Sequence, residues 1–182
     1  MKIIVTKKGE LRFEEVTGNE IKFRHCDGVK SPTNKYGSRS FSLQLTDDQA
    51  EELMQLGWRI KLGKEKEDGT RYPALINIVM NYESDYWRPK NVTRYSSHGQ
   101  TELTVDTVKD VNSDEIESAY IIVRPKTYKV ADGGDGLMGA RLVSMRYKLE
   151  EDPYADVYAD LCSGRDEGPD DPDDEIEELP FC

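Results

Sequence analysis

The sequence has few of the residues that build metal centres, disulfide frameworks or membrane spans. It contains three cysteines and two histidines in 182 residues. Cys26, Cys162 and Cys182 form no CxxC pair, and His25 and His98 are the two imidazoles. No apolar run approaches the roughly 18 residues of a membrane helix, and the apolar start of the chain is too short for a signal peptide. We therefore expect no metal, no cofactor, no disulfide framework and no membrane segment, and a cytoplasmic location.

Motifs for catalysis are also missing. The sequence contains no P-loop and no GxSxG motif, and the glycines at 133–136 lack the strand-to-helix context of a phosphate-binding loop. Paired acids such as Asp47 and Asp48 stand where helix capping explains them. His98 precedes Gly99 in a polar turn, where an exposed loop residue is the simpler interpretation than a general base. We expect a protein that is not an enzyme, with a nuclease of scattered carboxylates as an alternative.

Negative charge is concentrated at one end of the chain. The net charge is -11, and residues 150–182 contain 14 acidic residues and a single basic one, Arg165. Residues 1–149 carry 24 Lys and Arg against 22 Asp and Glu, which makes them weakly basic. The asymmetry predicts a folded domain at 1–161 and an acidic, disordered tail at 162–182.

Short strands separated by turns are predicted for most of the folded domain. Alternating or continuous apolar residues bounded by Gly, Pro, Asn and Asp indicate them. The predicted strands are 3–5, 11–13, 21–25, 39–45, 58–62, 74–80, 91–96, 100–108, 119–123, 128–130 and 142–149. Strands of this number and length predict an all-β barrel or sandwich with hairpin insertions.

One helix is clearly indicated within this pattern. Thr46 is a good N-cap and Gln49 follows at the capping-box spacing, while Gly57 is the expected stop. Its apolar stripe comprises Ala50, Leu53, Met54 and Leu56. A second short helix is predicted to begin at 152–154, where Pro occupies the first helical position.

Aromatic and basic residues alternate along the folded domain. A single nucleic-acid strand offers phosphates to Lys and Arg and unstacked bases to rings, and each stack contributes on the order of 1–3 kcal/mol. Phe23, Phe41 and Trp58 share a face with aliphatic neighbours, so burial in the core is favoured over contact with a ligand for these rings. The candidate DNA-binding residues are Lys22, Arg24, Arg39, Phe41, Trp58, Arg59, Lys61, Arg71, Tyr72, Tyr86, Trp87, Arg88, Lys90, Arg94 and Tyr95.

The acidic tail ends in large apolar side chains. A purely solvating tail has no use for them, whereas an acidic peptide with apolar anchors suits a hydrophobic groove rimmed by Lys and Arg. The alternatives are a solubilising appendage, or a DNA mimic that inhibits a host nucleic-acid enzyme. The candidate partner-binding residues are Asp173, Asp174, Glu175, Ile176, Leu179, Pro180 and Phe181.

The end of the tail resembles the acidic tip of bacterial and phage single-stranded-DNA-binding proteins. The resemblance lies in the run of acids from Asp173 to Glu178, followed by Leu179-Pro180-Phe181. In that family the tip binds replication and repair proteins, and the final carboxylate is part of the signal. Here Cys182 follows Phe181, so the carboxylate comes one residue later.

The body, 23–160, contains Phe23-Arg24, Arg39-Ser40-Phe41 and Leu56-Gly57-Trp58 in an order and spacing that resemble a family of small proteins encoded by phages and integrative elements. The resemblance implies an OB-fold, a small closed barrel, that coats single-stranded DNA largely independently of sequence during replication or recombination. The expected partners are single-stranded DNA and, through the tail, replication or recombination proteins; the expected location is a bacterial cytoplasm, and a homo-oligomer is left open. The matching segments are Phe23-Arg24, Arg39-Ser40-Phe41, Leu56-Gly57-Trp58, Tyr72-Pro73-Ala74-Leu75-Ile76-Asn77-Ile78, Ile121-Ile122-Val123-Arg124-Pro125-Lys126-Thr127-Tyr128 and Ala140-Arg141-Leu142-Val143-Ser144-Met145.

Overall fold

Strands account for most of the ordered elements in the computed structural model, which describes residues 1–127 and 136–151. The described strands are β1 (Lys2–Val5), β2 (Leu11–Thr17), β3 (Ile21–His25), β4 (Ser40–Leu45), β5 (Ile60–Lys61), β6 (Ala74–Val79), β7 (Asn91–Ser96), β8 (Gly99–Glu102), β9 (Ile116–Thr127) and β10 (Met138–Leu149). One α-helix, α1 (Asp47–Gln55), and two 3-10 helices (Gly18–Glu20 and Val108–Asn112) complete them. The predicted strand at 128–130, the predicted helix from 152 and the acidic tail lie outside the described residues.

All of these strands join in one sheet with the order β1-β2-β9-β10-β6-β4-β3. The short strand β5 pairs with β6, and the hairpin of β7 and β8 pairs with β10. Strand β10 runs parallel to β6 at residues 140–141 and parallel to β7 at 144–148. Between the two stretches its pairing with β9 shifts register, because Val143 of β10 has no partner on β9. The predicted all-β class is confirmed. No pairing joins β1 to β3 among the described strands, so the closed barrel stays a prediction.

Helix α1 begins and ends as its caps predict. The Thr46 hydroxyl accepts from the Gln49 amide at 3.3 Å, and the Gln49 side chain accepts from the Thr46 amide at 3.1 Å. At the other end the Trp58 amide donates to the Leu53 carbonyl and Gly57 has a φ of 86°, the Schellman arrangement. This reversal directs Trp58 into the core, where it is buried.

The apolar stripe of α1 is narrower than the sequence predicts. Ala50 and Leu53 are buried, whereas Met54 and Leu56 are exposed. Because the helix has nine residues, a single pair of side chains one turn apart is enough to anchor it on the sheet.

The predicted strand at 100–108 is too long. Strand β8 stops at Glu102, and a 3-10 helix begins at Val108. Between them the Thr104 amide donates to the Thr107 hydroxyl at 2.8 Å, and the Val108 amide donates to the Thr104 carbonyl at 2.9 Å. These local bonds compete with ladder pairing and turn the chain, so that Val108 enters the core.

Cys26 ties the end of β3 to two other segments. Its amide donates to the Asn112 side chain at 2.8 Å, and its carbonyl accepts from the Arg39 guanidinium at 2.8 Å. The thiol is buried, and burial raises the pKa of Cys26 from 9.0 to about 12. Since only the thiolate is nucleophilic, this thiol is unreactive in the native state.

No helix in the described part of the chain is long and apolar enough to cross a membrane.

The raised pKa of Cys26 predicts a loss of stability in alkali. The unfolded chain releases the thiol proton near its ordinary pKa of 9.0, whereas the folded chain holds it to about 12. Stability is therefore full below pH 9 and falls as the pH rises. Between pH 9 and 10 the loss from the Cys26 thiol alone is about 1 kcal/mol. Tyr82 and Tyr147, whose ordinary pKa of 10.0 is also raised by burial, add to this loss as the pH rises further. Urea unfolding across this range measures it.

The matched control is Cys26→Ser, which keeps the shape of the side chain and cannot ionise here. We expect a lower but flatter stability profile for this variant between pH 9 and 10. An equal slope for the two proteins would contradict the assignment of the titrating group.

Candidate functional site

Strand β3 contains a bulge that turns Phe23 outward. Lys22 pairs with Ser42 and His25 with Ser40, so Phe23 and Arg24 together oppose one residue of β4. Phe23 has a φ of 49°, in the left-handed region that glycine usually supplies in bulges of this type. Its side chain is 57% exposed. The expectation that Phe23 is a core residue is therefore wrong, because the extra residue reverses the alternation of the strand.

Phe23 lies where two cavities adjoin on the outer face of β3, β4, β6 and β5. The larger has a volume of about 830 Å³ and the smaller about 390 Å³. Phe23, Lys61 and Leu75 line both of them. Their volumes are within the range of ligand clefts, roughly 300–1,000 Å³. We call the two cavities together the groove.

The floor of the groove combines two buried serines with other polar and aliphatic side chains. Cross-strand partners on a sheet share a face, and the register places Lys22, Ser42 and Asn77 in one row across three strands. Ser40 and Ser42 are buried and have short side chains, so the floor is low relative to its banks. The floor residues are Ser40, Ser42, Leu75, Asn77 and Val79 in the larger cavity, and Gln44 with Leu75 in the smaller.

Three exposed rings line the groove. Tyr36 is 89% exposed in the larger cavity, Tyr72 is 58% exposed in the smaller, and Phe23 stands between them. The Lys66 ammonium lies 5.0 Å from the centre of the Tyr72 ring, within cation–π range. Exposed aromatic side chains of this number on one face are unusual unless they bind something.

The charge of the groove is of one sign. Five basic residues line it, and no Asp or Glu is among the described residues that do so. Residues 1–149 as a whole contain nearly equal numbers of acidic and basic residues, so this separation makes a local positive potential. The basic residues are Lys22, Lys35, Arg59, Lys61 and Lys64.

The loop that carries Tyr36 is held by its own hydrogen bonds. The side-chain Nδ2 of Asn34 donates to the carbonyls of Val29 and Ser38, both at 3.0 Å. Its Oδ1 accepts from the backbone N–H of Ser38 at 3.1 Å. Gly28 and Gly37 approach so closely that a Cβ atom at Gly37 would lie 2.8 Å from the Gly28 carbonyl oxygen. Tyr36 is therefore presented by an ordered loop, which reduces the entropy that binding would cost.

A second cluster of rings and cations lies on the same sheet face. The Arg141 guanidinium is 3.8 Å from the Trp87 ring centre and the Arg124 guanidinium is 4.9 Å from it. Tyr86 meets Trp87 edge-on with 4.6 Å between ring centres, and Tyr86 is 75% exposed. Arg124 and Arg141 are cross-strand partners, and Arg141 is the partner of Val79 in the groove floor. The cluster therefore continues the row of the groove.

Several cations predicted to bind DNA form hydrogen bonds or ion pairs within the fold. The Arg24 guanidinium donates to the carbonyls of Val111 and Asp114 at 3.1 and 2.5 Å. Arg94 forms ion pairs with Asp110 at 3.7 Å and with Asp114 at 3.5 Å. Tyr147 donates to Asp114 at 2.6 Å, and burial with this hydrogen bond raises the pKa of Tyr147. Arg39 holds the Cys26 carbonyl.

The groove contains four of the residues that the sequence predicts, namely Lys22, Arg59, Lys61 and Tyr72. Phe41 and Trp58 are buried, so their faces are closed to a ligand and the alternative of core packing is correct for both. Tyr86, Trp87 and Arg88 belong to the second cluster or border it, and Tyr95 lines a separate cavity formed by β2, β7, β9 and β10. Arg71 and Lys90 are exposed and line neither part of the groove.

Sequence reasoning missed Phe23, His25, Lys35, Tyr36 and Lys64 as groove residues. Lys35-Tyr36 has the same pairing of a cation with a ring that identified other candidates, so this signal was present. Phe23 gave the opposite signal, because a bulge is not visible in an alternating pattern.

A groove with cations, exposed rings and no acid is the arrangement by which β-sheet proteins hold single-stranded nucleic acid. The family model described as "Putative phage ssDNA-binding domain" matches residues 4–178. The chain belongs to this family, and the membership supports binding of single-stranded DNA. No curated protein sequence matches the chain.

Two solved structures resemble the chain in fold. One is the single-stranded DNA-binding protein from bacteriophage Enc34 in complex with ssDNA, with 14% identity, 84% of this chain and 93% of that chain covered, and a TM-score of 0.50. The other is a second structure of the single-stranded DNA-binding protein from bacteriophage Enc34, with 14% identity, 86% of this chain and 93% of that chain covered, and a TM-score of 0.50. At this identity the likeness concerns the fold alone.

Proposed function

We propose that the chain binds single-stranded DNA in the groove, largely independently of base sequence, during phage or mobile-element replication or recombination. The observation that carries this proposal is the coincidence of three exposed rings with five basic residues in the groove, with no Asp or Glu among the described residues that line it. Rings stack on any base because every base has a π face, and cations contact a backbone that is the same at every nucleotide.

The dimensions of the groove suit a single strand. Its banks are on β3 and β5, and its floor is on β4 and β6 between them. Three inter-strand spacings of roughly 4.8 Å give a width of about 14 Å. Lys22 on one bank and Lys61 on the other can contact phosphates while the bases face Phe23, Tyr36 and Tyr72.

A longer strand can continue to the second cluster. The row of Ser40, Val79, Arg141 and Arg124 leads along the sheet face to the exposed ring of Tyr86. The Arg141 guanidinium is buried against Trp87, and the partly exposed Arg124 guanidinium lies 4.9 Å from the same ring centre. This contact orders Arg124 before a ligand arrives. Strands that reach Tyr86 should therefore bind more tightly than strands that fill the groove alone.

The acidic tail supports a second part of the proposal. We assign it to the recruitment of replication or repair proteins through Asp173, Asp174, Glu175, Ile176, Leu179, Pro180 and Phe181. Its charge is opposite to that of the groove, so the tail can also compete with phosphates for the same cations. No catalytic role is proposed for the chain.

Replacing a groove lysine should change the salt dependence of binding by a definite amount. Each phosphate contact on a single strand contributes about 0.7 to the slope of log affinity against log salt. For Lys61→Ala we expect weaker binding of labelled oligo(dT) and a slope smaller by about 0.7, measured by fluorescence anisotropy. Lys8→Ala is the control, since this exposed lysine lies in the β1–β2 turn outside the groove. Equal slopes for the two variants, or a flat titration of the unmodified protein at low salt, would reject the proposal.

Removing the tail should leave DNA binding intact or make it stronger. A chain ending at residue 162 loses a competitor for the groove, so its affinity for oligo(dT) should be equal or higher, with the largest difference at low salt. Anisotropy titrations of the two chains make the comparison. Markedly weaker binding by the shorter chain would show that the tail contributes to the DNA site.

A further inference from the structure

The backbone at Phe23 is held in a conformation that its side chain does not favour. Non-glycine residues with positive φ are uncommon, and those that occur are mostly Asn and Asp. Glycine at this bulge would avoid the cost, yet the position holds a large ring that is more exposed than buried. Such conformations persist where the surroundings impose them, and they are concentrated at functional sites.

The neighbours of the bulge show what imposes it. Phe41, opposite the bulge on β4, is fully buried, and Arg24 is fixed by backbone carbonyls on the inner side. With Arg24 directed inward, Phe23 has to point outward to the groove. The ring contributes little to the core from that position, so packing does not explain why it is aromatic.

The position of the ring relative to the two cavities suggests its task. Phe23 and Lys61 stand on opposite banks where the cavities adjoin, and Leu75 lies on the floor between them. Tyr36 serves the larger cavity and Tyr72 the smaller. A strand that occupies both cavities has to pass between Phe23 and Lys61, with at least one base on each side.

We propose that Phe23 is a wedge that separates two neighbouring bases of the bound strand, so that one faces Tyr36 and the next faces Tyr72. The inference rests on the proposed function, because it describes the path of single-stranded DNA through the same groove. The strand loses one base–base stack at this step and gains ring contacts on both sides, which gives the protein a fixed register along the backbone without reading base identity.

The wedge predicts a local change in base stacking. 2-Aminopurine is quenched when it stacks on its neighbours, so a base next to the wedge should brighten on binding. We would use short oligo(dA) strands that carry one 2-aminopurine at successive positions, each saturated with protein. With the unmodified protein we expect one or two positions to brighten more than the rest. With Phe23→Asn we expect that maximum to disappear at saturation, and the affinity to fall roughly 5- to 150-fold, the equivalent of one stack.

Asn is chosen because it tolerates positive φ, so the variant removes the ring and relieves the backbone. Phe23→Asn should melt at or above the temperature of the unmodified protein, and Phe23→Tyr should restore both the affinity and the fluorescence maximum. A large fall in melting temperature for Phe23→Asn would assign the ring to packing and overturn the wedge. An unchanged fluorescence profile at saturation would also overturn it, even if the affinity falls. Failure of the unmodified protein to bind any strand would instead reject the proposed function.

Discussion

The pairing of two residues of β3 against one residue of β4 is the constraint on which the site depends. It lets Phe41 close the core while Arg24 turns inward to carbonyls of a distant segment and Phe23 turns outward. Without this bulge the alternation of the strand would bury Phe23 and expose Arg24, and the two cavities would have no ring between them. The bulge therefore links the packing of the core to the shape of the groove.

The groove is positive because acidic residues of the same domain form ion pairs or cap a helix at other places in the fold. Asp110 and Asp114 are paired with Arg94, and Glu117 lies 2.6 Å from the Lys148 ammonium. Asp47 and Asp48 occupy the first turn of α1, where the helix dipole favours them. The nearly neutral residues 1–149 thus form a groove lined by basic side chains, and the excess of acid lies in residues 150–182.

Local signals predicted the parts of the fold that local interactions determine. The caps of α1, the all-β class and the charge division follow from neighbouring residues, and Lys22, Lys61 and Tyr72 were identified from the pairing of cations with rings. The rest depends on contacts distant in sequence. Arg24 and Arg94 have the composition of a DNA site but bind partners from 16 to 90 residues away. The hydrogen bonds of Asn34 place Tyr36 at the groove, and the pairing of β5 with β6 places Lys61 there. No short sequence pattern predicts that these two residues line the same groove.

Photocross-linking tests the central claim, that one groove with three rings holds the strand, most directly. Oligo(dT) substituted with 5-iodouracil at single positions cross-links to aromatic side chains in contact with the base, and peptide mapping identifies them. The account predicts cross-links at Phe23, Tyr36 and Tyr72, lost when competing unlabelled oligo(dT) is added. Cross-links confined to Tyr95 and Tyr120, which line the separate cavity formed by β2, β7, β9 and β10, would contradict it.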